Sequence, residues 1–422
     1  MMPGPFFFRC ALCGRDAGNS ADFAGIARTV GKRARCGEAS SVILRSDFLA
    51  GLGGTAVAAN VAFPAITPSI SIAVVAPFSG PSKRIGERLE AGAQGAVQAA
   101  NELAGTYART FAIRTYDDQN TAANASLQAS FATGDSSVIA AIGHVSADCT
   151  LQGIANYGPA QMALVVPFNT DDRITATQYR TVFRLPTKDT SEGAIFARTV
   201  QAQYNPAVPY VFVQDADYGA DVANGFIDAM KTQKIVAPYT QFSYNKPNFD
   251  DVVTKALASN PDYVFLAGIV GDMGPIVGVL RAKGYRGPIG ASQGFFDPGV
   301  AKLGAAADGM MISTSMPYLA LAPSTVRLRE NFEVHFGPMD AFAAFGYAAA
   351  QLIVSAVTRT NAAARNSVVS AIAQGIPIET MVGSYSFGAF GDALAPQLYY
   401  YTIKNGAFTY LKQARPSGFM IK

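Results

Sequence analysis

Histidine is almost missing from this 422-residue chain, which has only His144 and His335. Two residues are too few for a histidine-built metal centre, and no cluster beyond residue 65 has metal-ligand spacing. The G-x-x-x-x-G-K-[ST] phosphate loop is absent too, so no metal or cofactor is expected. Charge is sparse at 15% of residues, and the net +3 sits at the front. Residues 1–65 hold seven Lys/Arg against four Asp/Glu, whereas the remainder holds 26 of each. A neutral body lacks the basic surface that nucleic acid requires. Of four cysteines, Cys10, Cys13 and Cys36 precede residue 66, which leaves Cys149 alone and excludes a disulfide within the body. Cys10-Ala-Leu-Cys13 has C-x-x-C spacing, but no histidine stands near to complete a zinc set.

Apolar runs of about 18 residues are also scarce, with one expected, at Phe48–Ala65. It is rich in small residues, follows Arg45 and contains Ala-x-Ala at Ala56–Ala58, the pattern of an export signal. Arg45-Ser46-Asp47-Phe48-Leu49 is similar to a twin-arginine signal with Ser46 in place of the second Arg, which leaves the export route open. A membrane anchor fits less well, because glycines, polar residues and a proline break the run. No Leu-x-x-Cys lipid-attachment motif occurs. A signal normally begins within a few residues of the first Met, so the roughly 45 residues ahead of this one point to a start placed too far upstream, and residues 1–65 are expected to be a leader absent from the working, periplasmic protein.

The body is abundant in strand–helix alternation. Val138–Gly143 is a continuous apolar run of strand length, followed by a polar turn, Ser146 to Thr150, and a helical pattern. Such a corner presents free N–H groups and hydroxyls at the carboxyl edge of a sheet, where small ligands settle. Strands are expected at Ile70–Ala76, Phe111–Tyr116, Val138–Gly143, Ala163–Phe168 and Val182–Leu185. After Pro186–Asp189 the pattern restarts, with strands near Tyr210–Gln214, Ile235–Phe242, Tyr263–Gly268, Ile289–Ala291 and Met310–Ser315. Helices follow over Ser324–Phe336 and Phe342–Arg359, with a β-rich tail at Gln397–Lys412. Two such sets predict an α/β protein of two doubly wound, Rossmann-like lobes with the site between them.

Several landmarks, weak singly, are specific in their order: I-A-V-V-A-P-F-S-G-P at Ile72–Pro81, Y-D-D-Q at Tyr116–Gln119, I-G-H-V-S at Ile142–Ser146, P-F-N-T-D at Pro167–Asp171, F-R-L-P at Phe183–Pro186 and D-A-D-Y-G at Asp215–Gly219. With them the chain resembles the periplasmic solute-binding proteins of ABC transporters, in the leucine/isoleucine/valine-binding (type I) group. The resemblance implies lobes joined by three crossovers that close on a ligand by hinge motion, without catalysis. It divides the body into 66–187 plus 318–381 for lobe 1 and 188–317 plus 382–422 for lobe 2. It implies a monomer that captures a small molecule and delivers it to membrane permease subunits. A ligand-sensing receptor on the same fold is the alternative.

Binding positions carried over by the resemblance are Ser146, Ala147, Asn169, Thr170 and Tyr218; Phe342, on the helix returning to the first lobe, is expected either to wall the pocket or to pack in the core. Three positions depart from the pattern. The acid that meets a ligand ammonium is Gln293 here, and two tyrosines are Ile85 and Ile269. A buried ammonium needs a carboxylate, so the expected ligand is neutral, amide-bearing or aromatic. Asp272 could replace the acid, although a role in starting its helix suits it better. One motif competes. Gly290-Ala291-Ser292-Gln293-Gly294 is G-x-S-x-G after a strand, with Asp308 and His335 following in hydrolase order. Phe295–Gly299 delays the helix that such an elbow requires, which weighs against an enzyme.

Overall fold

A computed structural model of the chain describes residues 69–104, 110–242, 248–316 and 323–414. The leader, with its C-x-x-C pair and export pattern, lies outside them. In the first lobe, β1 (Ile70–Ala76) and β3 (Val138–Gly143) are buried at every position. They pair in parallel with β2 (Phe111–Asp117), β4 (Ala163–Val166) and β5 (Val182–Arg184) in the order β2-β1-β3-β4-β5. Parallel neighbours require crossover connections, here the helices α1 (Lys83–Ala104), α2 (Ala122–Gly134) and α3 (Ala147–Tyr157). The register sets Val75 beside Gly143, so the corners after β1 and β3 open on one edge.

The second lobe repeats this plan. Strands β6 (Pro209–Gln214), β7 (Tyr239–Phe242), β8 (Tyr263–Ala267), β9 (Ile289–Ala291) and β10 (Met311–Thr314) run parallel in the order β10-β9-β8-β6-β7. Their helices are α4 (Asp189–Tyr204), α5 (Asp217–Thr232), α6 (Phe249–Leu257) and α7 (Val270–Ala282). Antiparallel strands β13 (Leu398–Lys404) and β14 (Ala407–Ala414) extend the sheet beyond β10. Strand β7 is shorter than Ile235–Phe242: it follows Pro238, which has no N–H for a ladder, and Ile235 packs into the core as a connector.

Helices α8 (Pro323–Phe336), α9 (Ala341–Thr360) and α10 (Arg365–Ala373) return to the first lobe. Glycine lets the main helix pairs approach closely. A Cβ at Gly92 of α1 would lie 2.0 Å from the Ala343 carbonyl oxygen of α9, and one at Gly193 of α4 would lie 1.9 Å from that of Val222 in α5. Contrary to expectation, α9 is a second apolar run long enough by length and composition to cross a membrane. Here it is a core helix, with Phe345, Leu352 and Ile353 buried among the first-lobe strands and helices.

The chain crosses between sheets after β5, after β10 and before β13. Thr187, in the first crossing, ties all three together. Its N–H donates to Ser315 Oγ at 3.0 Å, and its hydroxyl donates to the Gln397 carbonyl at 3.0 Å. Residues 382–393, assigned to lobe 2 from the sequence, belong with lobe 1. The hairpin β11 (Ile378–Thr380)–β12 (Gly383–Tyr385) and Phe387 pack in its core, and the Gly391 carbonyl accepts the Arg184 N–H.

Candidate ligand-binding site

The first-lobe wall starts at Gly143, where φ is +154° and a Cβ would lie 2.3 Å from the Val75 carbonyl oxygen. Only glycine fits there. His144 follows, wholly buried, with Nδ1 2.7 Å from Asp118 Oδ2 and Nε2 3.2 Å from the Tyr157 hydroxyl. This chain of polar groups anchors the corner from beneath, so His144 is structural. Ser146 is the N-cap residue of α3, but its side chain makes no capping bond. Its carbonyl accepts the Thr150 hydroxyl at 2.8 Å. Asn169, beyond β4, donates through Nδ2 to the His144 carbonyl at 3.0 Å and to Thr150 Oγ1 at 2.6 Å. The two ligand-facing turns of this lobe are thereby fixed to each other.

The wholly buried Arg184 holds the second turn. Its Nη1 donates to the Thr170 and Asp171 carbonyls at 2.9 and 2.5 Å, and Nη2 reaches Asp392 Oδ1 at 2.6 Å. Asp171 takes a two-nitrogen contact from Arg173. Burial alone would raise the Asp171 carboxyl, but hydrogen bonds and charge from Arg173 outweigh it and leave it below the usual value.

The second-lobe wall comes from α4, α5 and the end of β9. The Tyr218 hydroxyl accepts the Gly294 N–H at 2.9 Å, and burial raises its pKa well above that of a free tyrosine. Asp189, at the start of α4, is 2% exposed, and its Oδ1 has no partner. Its backbone N–H donates to the Thr170 carbonyl at 3.0 Å, which joins the walls at the back of the cleft. Burial, then the charges of Glu192 and Asp172, raise its carboxyl to about 8, opposed by the Thr170 hydroxyl and Arg184. Glu192, one turn on, is wholly buried and raised by burial to about 7. Its Oε1 accepts Gln293 N–H at 2.7 Å and the Ser313 hydroxyl at 2.6 Å, while Oε2 has no partner.

Between the walls lies a cavity of about 340 Å³. Ser146, Ala147, Asn169, Thr170 and Tyr218 of the sequence-derived set line it together. Phe342 stands one ring behind, edge-to-face with the lining Phe168 at 5.1 Å. Ile85, Ile269, Asp272 and Gln293 do not line it. Ile269 borders a separate second-lobe hollow with Gly294 and Lys302. Asp272 accepts the Gln214 amide within the first turn of α7, whose N-cap residue is Ile269. Asp148, at the turn after β3 that the resemblance marks for ligand binding, lines it as well, and Asp171, Arg173, Asp189 and Asp217 complete the lining without having been placed there by pattern. Asp189 and Glu192 carried one visible signal, two acids spaced i,i+3 directly after a crossover, but the same spacing also suits an ordinary helix start.

The hydrolase elbow does not form. Ser292 is wholly buried, and its hydroxyl donates to the Gly268 carbonyl at 3.0 Å while accepting the Gly268 N–H at 3.2 Å. A 3-10 turn follows in place of a helix. Asp308 accepts the Asn405 N–H, and His335 lies on α8 of the other lobe. The three do not meet.

A family model described as periplasmic binding protein matches residues 69–407. The chain belongs to the periplasmic binding protein family. Within this family it is similar to the Leu/Ile/Val/Thr-binding protein of Salmonella typhimurium, at 22% identity over 338 residues, which cover 80% of this chain and 92% of that protein. It is likewise 22% identical over 348 residues to a Leu/Ile/Val-binding protein homologue of Brucella melitensis, covering 82% and 94%. Among solved folds, a leucine-binding protein from Thermotoga maritima superposes with a TM-score of 0.68 at 22% identity over 82% of this chain and 99% of that one. An R. palustris solute-binding protein in complex with benzoate superposes with a TM-score of 0.66 at 19% identity, covering 83% and 97%. The type I periplasmic-binding-protein architecture is therefore the fold of this member too.

Proposed function

We propose that this chain is the extracytoplasmic capture component of an ABC importer. It takes a small organic solute, amino-acid-like, amide or aromatic, into the cleft and presents it to membrane permease subunits. The observation that carries this reading is the cavity lined from both lobes, by Ser146, Asn169 and Thr170 on one side and by Asp189, Asp217 and Tyr218 on the other. A solute there gains contacts from both walls only when they are together, so binding favours the closed arrangement. The Thr187–Ser315–Gln397 tie is a compact pivot for that motion. Family membership and the export pattern at Phe48–Ala65 support a periplasmic location, and the neutral body supports a small solute over nucleic acid.

The test is a thermal-shift screen of the purified chain with amino acids, amides, ureas and aromatic acids. A solute that binds only the folded state raises Tm according to ln(1+[L]/Kd). A rise with one class supports capture, and no rise across the panel at millimolar concentration counts against it.

A further inference from the structure

Resting on the capture reading above, we infer that the solute carries an aromatic ring, held between Phe168 of the first lobe and Tyr218 of the second. The apolar surface of the cavity is of one kind. Among the described residues that line it, Phe168, Tyr218 and Ala147 supply that surface, and none is Leu, Ile, Val or Met. A branched aliphatic chain would find no aliphatic wall to pack against. The rest of the lining is hydroxyl, amide, carboxyl and guanidinium, so a solute turns its apolar part to the two rings and its hydrogen-bonding substituents to the remainder. A volume of about 340 Å³ lies at the small end of ligand pockets, which suits a single ring with short substituents.

Both rings are set in place from outside the cavity. Phe168 lies two residues past the end of β4 and is half-buried. It packs edge-to-face against two phenylalanines of α9, Phe342 at 5.1 Å and 82° and Phe345 at 6.1 Å and 83°. Those two stand three residues apart, on one face of that core helix. The next residue, Asn169, is pinned by its amide bonds to the His144 carbonyl and the Thr150 hydroxyl, so the backbone beside the ring is fixed as well. Tyr218 is held through its hydroxyl, which accepts the Gly294 N–H at 2.9 Å. Aromatic rings attract one another in offset-stacked and edge-to-face geometries beyond what area burial supplies. Rings already fixed lose little freedom when a solute joins them. Phe168 is thus a specificity-determining residue, and Phe342 and Phe345 are the positioning residues behind it.

Pairs of solutes that differ only in ring saturation separate the outcomes. The probes are benzamide and cyclohexanecarboxamide, benzylamine and cyclohexylmethylamine, benzoate and cyclohexanecarboxylate, and L-phenylalanine and L-cyclohexylalanine. Titration calorimetry on the full chain compares wild type, Phe168→Leu and Phe168→Tyr. The inference expects the aromatic member of whichever pair binds to bind at least about fivefold tighter than its saturated partner. Phe168→Leu should bring the two members within about twofold of each other, and Phe168→Tyr, which keeps the ring, should keep the preference. Proton NMR of the bound aromatic probe adds a reading that needs no variant, because ring currents from the protein should shift its ring protons upfield. If the saturated member binds as well, if Phe168→Leu keeps the preference, or if the ring protons do not shift, the inference is overturned while the capture reading stands. If no probe of any pair binds a chain that melts cooperatively, both fall.

Discussion

Glu192, wholly buried on α4, accepts the backbone N–H of Gln293 through Oε1 at 2.7 Å. The bond locks the end of β9 to α4, and it leaves a carboxyl raised to about 7 inside the second lobe. Its value in the unfolded chain is near 4.5. Between those values the folded state holds more protons than the unfolded state, so stability falls as pH rises through the window. Glu192→Gln keeps an acceptor for Gln293 and Ser313 without the titration. Urea unfolding should find variant and wild type similar near pH 4.5, and the variant more stable by on the order of 3 kcal/mol at pH 8.

Asp189 titrates higher, at about 8, raised first by burial and then by Glu192 and Asp172, and lowered by the Thr170 hydroxyl and Arg184. At pH 7 it is therefore mostly protonated before binding. A solute that places a positive group beside it lowers its pKa, so such a solute should release up to about one proton on binding. Calorimetry in buffers of different ionisation enthalpy reads this number directly. For such a solute affinity should rise with pH between 6 and 8, and Asp189→Asn should reduce both effects, with Glu192, raised to about 7, carrying what remains.

Arg173 and Asp217 bridge the lobes at 3.1 Å, but their side chains are 54% and 76% exposed. Exposed pairs contribute roughly 0.2–1 kcal/mol. Arg173→Ala should therefore weaken a bound solute by less than about fivefold in low salt, and by nothing measurable in 0.5 M salt, where screening is short-ranged. Stopped-flow dissociation at the two salt concentrations checks this.

Ser292 serves the fold. Ser292→Ala leaves both the N–H and the carbonyl of Gly268 without its hydroxyl, which should cost about 1–3 kcal/mol by urea unfolding. Ester hydrolysis by wild type should not exceed that by the variant.

The sheets were legible because their central strands, such as Ile70–Ala76 and Val138–Gly143, are apolar at nearly every position and are bounded by turn residues. The β11–β12 hairpin was not, because three-residue strands carry too little periodicity. The membership of residues 382–393 depends on Arg184 meeting Asp392 across 208 positions, a contact invisible to local pattern. The turns that build the first wall of the cleft could be read from P-F-N-T-D and I-G-H-V-S. The detail could not: Asn169 spends its amide hydrogens on His144 and Thr150, and so it fixes the two turns. Asp189 read as the last residue of the crossover, two positions ahead of the expected helix, whereas it opens α4. Its burial comes from Thr170, 19 residues earlier, accepting its N–H where the lobes meet.

The most direct measurement is calorimetric titration of the wild-type chain and of Ala147→Trp with the best-binding solute from the screen. Ala147 lines the cavity at the first turn of α3 and is only half-buried, so the larger ring can occupy the cleft without disturbing the core. If the solute sits between Thr170 and Tyr218, binding should be lost in the variant while its melting temperature stays near that of wild type. Unchanged binding by a folded Ala147→Trp chain would place the solute elsewhere and contradict the account.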